Sequence, residues 1–155
     1  VNDGKNDEAR ANVALANTLS GMVESTSMCT SEHSLEHALS AFHHNLPHGA
    51  GLIMISKAYY THFAKVHACD ERMVAMAKAL GKADANTAMD FVDALVALQE
   101  ACGVANLKMS DYCIVKSELA KYAANARLTM GGLFEVDPAP LGDEDIVAIL
   151  EESYK

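Results

Sequence analysis

Apolar residues recur in this chain at three- and four-residue spacing over most of its length, while runs in which Val, Ile or Tyr alternate with polar residues are almost missing. That period stacks apolar side chains along one side of a helix, whereas a half-buried strand needs a period of two. Ala, Leu, Met, Glu and Lys, which lose little rotamer freedom in a helix, supply much of these segments. The chain is therefore predicted to be all-α, a helical bundle forming one domain over residues 1–155. At 155 residues and 50% hydrophobic, a chain can bury ~68–70% of its unfolded surface, so a core forms without disulfides or structural metal. Intrinsic disorder and small disulfide scaffolds are excluded.

Breaks in the pattern set the elements. A first helix is expected from about Asp7 to Glu24, with Val13, Leu15, Ala16, Leu19, Met22 and Val23 mostly on one side and Ser25-Thr26-Ser27 ending it. A second is expected from about Thr30 to Phe42, followed by a loop at His43–Pro47, where proline removes a backbone donor. The segment Leu52–His67 is apolar on several sides and reads as the buried hub of the bundle. Further helices are predicted over Asp70–Leu80 and Ala85–Ala101, ended by Gly81 and Gly103 in the left-handed cap conformation, then Ser117–Arg127 and Asp143–Tyr154. Between the last two, Thr129–Gly142 is a Gly/Pro-rich excursion. No internal repeat or interdomain linker interrupts the series.

Charge narrows the partners. Twelve Lys+Arg face 21 Asp+Glu, a formal charge of −9, and there is no basic cluster of the kind that nucleic acid or an anionic membrane requires. No apolar stretch reaches the ~18 residues of a membrane span, and the polar Val1–Arg10 does not read as a signal peptide. Cys29, Cys69, Cys102 and Cys113 are scattered without a CxxC pair, as expected of reduced thiols in a cytoplasmic protein. The opening at Val1 fits a chain cut from something longer, and equally a trimmed sequence or a numbering choice.

Five of the seven histidines, His33, His37, His43, His44 and His48, fall within sixteen residues. His33 and His37 are four apart and so project from one helix face, and a helix–turn–helix across Pro47 brings His48 back beside His33. Neutral imidazoles meeting at a helix junction suit a divalent transition metal such as iron or zinc. An i,i+4 histidine pair alone is more often solvated surface or satisfied core than a metal site; His48 after the turn brings the two readings level. No other residue stands at an obvious ligand spacing, so the set read from spacing is incomplete.

The run His33-Ser34-Leu35-Glu36-His37-Ala38-Leu39-Ser40-Ala41-Phe42, continued by Leu46-Pro47-His48-Gly49-Ala50-Gly51-Leu52, resembles the metal-binding signature of the iron-containing (group III) alcohol dehydrogenases. A second stretch, Thr129–Leu141 followed by Asp143-Glu144-Asp145-Ile146-Val147, resembles the terminal segment of the same family. The two lie in the family's order. Fifteen positions separate His33 from His48, one more than in the commonest form of the signature, and the extra residue falls among His43–Leu46, where a loop absorbs it.

The resemblance implies the C-terminal helical domain of such an enzyme, within the dehydroquinate synthase-like superfamily. Its N-terminal dinucleotide-binding domain is absent from this chain, which carries no Gly-rich phosphate loop after a strand. It implies Fe2+ as the metal, with Zn2+ the alternative, NAD or NADP as hydride carrier in the full-length enzyme, and a small alcohol or aldehyde as substrate. In the family one Asp and three His hold the metal. Two of those ligands carry over to His33 and His48, and the other two lie on a helix upstream of Val1. His37 matches a non-ligand histidine beside metal and substrate, which orients substrate or relays its hydroxyl proton. The implied partner is the chain's own nucleotide-binding domain, with a homo-oligomer left open, and the isolated chain is expected to be inactive.

Other residues read blandly. His43 and His44 are polar loop residues, His62 and His67 do not share a helix face, and the eight methionines are core filling. Cys29 is a structural thiol, and Gly131-Gly132 shapes either the cleft or a chain reversal. Competing functions are a zinc enzyme of the same superfamily, such as glycerol dehydrogenase or dehydroquinate synthase, and, in a different class, a histidine phosphotransfer bundle. The latter wants one exposed histidine beside a cation, and only Lys57 is near in sequence. A metal-storage or purely structural bundle is a third.

Overall fold

The computed structural model describes residues 2–155 as seven α-helices with no strand among them. They are α1 (Asp7–Thr26), α2 (Ser31–Phe42), α3 (His48–Lys65), α4 (Asp70–Ala79), α5 (Met89–Ala101), α6 (Leu119–Met130) and α7 (Asp143–Ser153). Short 3-10 turns lie at Met109–Tyr112, Lys116–Glu118 and Gly131–Val136. No helix among the described residues is long and apolar enough to cross a membrane.

Helix α3 is the hub that its sequence predicts, since it packs on α2, α5 and α7. Its Ile55, Tyr59 and Phe63 are buried with Leu35 and Leu39 of α2, Tyr122 of α6 and Leu150 of α7 in the main core. Burial of each such side chain contributes about 1.5–3 kcal/mol. A smaller cluster, with Met73, Ala77, Phe91 and Val92, joins α4 and α5 to the end of α3 at Ala64.

Several boundaries differ from the periodicity, each for a local reason. Helix α3 begins at His48, as a helix opening directly after the Pro47 turn requires, although its apolar run starts only at Leu52: Pro47 sits at φ −66° as the cap and its carbonyl accepts from Ala50 N at 2.9 Å and Gly51 N at 3.2 Å. Helix α5 begins at Met89 rather than Ala85. The Asp90 carboxylate gathers Asn86 N, Thr87 N and Thr87 Oγ1 at 2.8–3.0 Å and folds residues 86–88 into a turn. Hydrogen bonds from Lys82 and from these groups hold Asp90 well below the usual carboxylate range. Helix α6 runs on to Met130, and Gly81 and Gly103 take the positive φ expected of them, 97° and 73°.

Helix α1 runs through Ser25 and Thr26, whose hydroxyls turn back onto carbonyls one turn earlier instead of breaking the helix. It buries none of its residues: Val13, Leu15, Leu19, Met22 and Val23 are all more than half exposed. Its apolar stripe is left uncovered among the described residues, so amphipathicity there was legible but burial was not. Met22, Met28 and Met89 are likewise exposed and do not fill the core.

The excursion between α6 and α7 reaches back to α2. Thr30 gives α2 no side-chain cap. Asp137 supplies one from 106 residues away, its Oδ1 accepting from Ser31 N at 2.9 Å and its Oδ2 from Ser31 Oγ at 2.6 Å. The buried Tyr59 hydroxyl donates to Asp137 Oδ1 at 2.7 Å, tying the same carboxylate to α3. Arg127 anchors the excursion at its other side, donating to Leu141 O at 2.6 Å and stacking 4.3 Å from the Phe134 ring. Next to Ser31, Glu32 is buried, with Tyr60 Oη donating to Oε2 at 3.2 Å and no donor to Oε1, and burial pushes its carboxyl up to about 7.

Two outcomes follow. Asp137→Ala strands the Tyr59 hydroxyl and the α2 terminus, and is expected to destabilise the fold by about 1–3 kcal/mol in urea denaturation; a loss within error contradicts the capping role. Glu32 keeps its proton in the folded state between pH 4.5 and about 7 and releases it in the unfolded chain, so its contribution falls as pH rises through that window, by on the order of 3 kcal/mol. Glu32→Gln is therefore expected to gain stability relative to the parent between pH 5 and pH 7.5. Parallel stability curves for the two proteins contradict this.

Candidate metal centre

The α2–α3 turn brings His33, His37 and His48 together. One nitrogen of each ring lies within 4.8 Å of the corresponding atoms of the other two, and they are the one such group of three His, Cys, Asp or Glu side chains found among the described residues. Ring centroids are 5.2 Å apart for His33–His48 and for His37–His48, and 6.4 Å for His33–His37. His33 and His37 stand one turn apart on α2, and His48 is the first residue of α3.

Local partners fix how these rings are presented. His37 Nδ1 lies 2.9 Å from Met130 Sδ, a thioether that only accepts, a contact that suits the tautomer with the proton on Nδ1 and the lone pair on Nε2. His48 Nδ1 is hydrogen-bonded to Glu36 Oε2, which likewise leaves Nε2 as the free nitrogen. Burial, and then the neighbouring rings of His48 and His37, hold His33 below the ordinary imidazole range against an opposing pull from Glu24 and Glu36. A neutral ring is the form that ligates. One nitrogen from each ring, all within 4.8 Å of one another, with the Glu36 carboxylate behind His48, fits the donor chemistry of a divalent transition metal.

The rings lie on an open surface. His37 and His48 side chains are 47% and 49% exposed, and the apolar groove of about 450 Å³ between α3 and α5, lined by Leu52, Tyr60, Phe91 and Leu95, includes none of the three.

The other histidines stay apart from this cluster. His43 Nε2 meets Tyr122 Oη at 2.8 Å, and since that hydroxyl donates to Glu118 Oε2 at 2.7 Å, the ring N–H is the donor to it. Burial pushes the Tyr122 phenol up to about 12. His44 is exposed. His62 packs edge-on against Phe63, and His67 pairs with Asp70 at 2.8 Å on the surface. All four cysteines are free thiols, and Cys29 reaches only Glu24, at 3.8 Å.

Sequence reasoning missed Glu36, Met130 and Gly51. Glu36 is completely buried, and a Cβ on Gly51 would stand 2.6 Å from Glu36 Cγ. A signal was present: Glu36 is flanked by the apolar Leu35, Ala38 and Leu39, and Gly51 follows His48 by three residues on the same helix face. Met130 carries no comparable signal, since its contact with His37 spans 93 residues.

With this geometry, comparison with known proteins is informative. Residues 1–154 match the family model described as Fe-containing alcohol dehydrogenase family, C-terminal. The chain belongs to the C-terminal part of the Fe-containing alcohol dehydrogenase family. Among solved structures, the archaeal halo-thermophilic Red Sea brine pool alcohol dehydrogenase ADH/D1 is similar to it at 26% identity and a TM-score of 0.87. A histidine-to-alanine mutant of that enzyme is similar at 26% identity and a TM-score of 0.88. In both cases the likeness covers 98% of this chain and 39% of the other. No curated protein matches.

If the triad holds a metal, Zn2+ raises the melting temperature of the chain in a concentration-dependent way, and His33→Ala or His48→Ala removes most of that rise. An equal rise in the parent and both variants contradicts the assignment.

Proposed function

We propose that the chain is the metal-binding C-terminal domain of an iron-dependent alcohol dehydrogenase that transfers hydride between an alcohol or aldehyde and NAD or NADP. The observation that carries this reading is the convergence of His33, His37 and His48, one ring nitrogen of each within 4.8 Å of the others, in a chain of that family. The solved relatives are alcohol dehydrogenases, of which this chain spans 39%. The nucleotide-binding domain and the remaining ligands are assigned to chain upstream of Val1.

His33 and His48 would hold the metal through the nitrogens that their surroundings leave free. When bound, the metal acidifies an alcohol and polarises a carbonyl, and the nicotinamide exchanges hydride with that carbon. His37, whose Nδ1 is engaged by Met130, offers Nε2 to the substrate hydroxyl and orients it or relays its proton. The half-exposed rings require cover from another part of the enzyme to keep water from the reacting groups. A cytoplasmic location accords with the four free thiols.

The phosphotransfer alternative loses support here. The nearest groups to these rings are a carboxylate, a thioether and one another, and none of the three rings pairs with Lys or Arg. Zn2+ in place of Fe2+ would use the same donors.

The pure 155-residue chain is expected to show no NAD(P)-linked alcohol oxidation, with or without added Fe2+, because this reading assigns the nucleotide site to another domain. Measurable turnover by the chain alone contradicts this assignment of parts.

A further inference from the structure

Glu36 is a fully buried acid beside the histidine cluster. It has no exposed surface, and it sits in the seam where α2 meets the start of α3. Its Oε2 is hydrogen-bonded to His48 Nδ1 and lies 3.9 Å from His37 Nε2. No protein donor reaches Oε1. Among the described residues, the groups within ion-pair range of this carboxylate are imidazoles, with no Lys or Arg. A buried carboxylate so placed is costly unless a positive group stands close by.

The backbone makes room for it. Gly51, one turn after His48, is buried, and a Cβ there would stand 2.6 Å from Glu36 Cγ and 3.0 Å from Oε1. Anything larger than glycine would push the carboxylate away from His48. A carboxylate behind a ligating imidazole fixes its tautomer and orientation and raises its basicity.

We propose that Glu36 is a positioning residue: through Nδ1 it locks His48 with Nε2 facing His33 and His37, it counters the charge of the ion held there, and Gly51 is the gap that admits it. This rests on the metal reading above. It adds a carboxylate that contributes without touching the ion, and it assigns Gly51 a purpose in the site. Among the described residues no Lys or Arg pairs with this carboxylate, and a bound ion would supply the positive charge.

Two measurements on the whole chain test this. The first needs no metal. In histidine-15N-labelled protein at alkaline pH, the His48 ring is expected to carry its proton on Nδ1 in the parent and in Glu36→Gln, whose amide oxygen still accepts, and to lose that preference in Glu36→Ala and Gly51→Ala. The second is a Co2+ titration followed by the visible absorption of the bound ion. Glu36→Ala and Gly51→Ala are expected to weaken binding by about 10–100-fold, with Glu36→Gln nearer the lower figure because it keeps the acceptor and loses the charge. A merely structural role would lower the melting temperature without moving the tautomer or the Co2+ spectrum. Failure of the parent to bind Co2+ overturns the metal reading and this proposal together. A parent that binds, beside a folded Glu36→Ala with the same tautomer and affinity, overturns the positioning role alone. Should alanine at 36 prevent folding, unchanged Co2+ affinity in Glu36→Gln overturns it.

Discussion

Helix α3 turns back along α2 directly after the Pro47 turn, and the histidine cluster exists only because that seam is held in register. Leu35 and Leu39 of α2 pack with Ile55 and Tyr59 of α3 in the main core, which fixes how the two helices face each other. Asp137 then pins the start of α2 through Ser31 and ties it to α3 through Tyr59. His33 lies two residues beyond Ser31, so its ring inherits the position of that junction. Core packing sets the approach of the helices, and one carboxylate from the distant excursion sets their ends.

The side that carries the histidine cluster inverts the usual rule for interiors. Charged groups are rarely buried without partners, yet Glu36 is buried against imidazoles, and Gly51 leaves the space that it fills. The seam accepts this local cost while the surrounding layers are apolar, a pattern typical of sites whose arrangement serves binding more than stability. The exposed outer edges of His37 and His48 and the unburied α1 give the domain two surfaces that its own core does not cover. The chain spans 39% of the length of the solved relatives it matches.

Much of this architecture was legible in the order of residues. The period of the apolar positions gave seven helices, glycines 81 and 103 gave two of their ends, and the spacing of His33, His37 and His48 around Pro47 gave the cluster. What escaped was set by contacts that local pattern does not contain. The Asp137 cap spans 106 residues and the Met130–His37 contact spans 93. The start of α5 depended on the side chain of Asp90. Amphipathic spacing in α1 encoded a face without saying what covers it. Glu36 was visible as an acid among apolar neighbours, but its partner became evident only when α3 was laid against α2.

The most direct test is a crystal structure of the chain grown with Co2+ or Zn2+, with anomalous data collected at the metal edge. The account predicts a single strong anomalous peak at bonding distance from His33 and His48, with Glu36 behind the latter ring. A peak at other residues, or rings 33 and 48 turned apart with the helices intact, would contradict it.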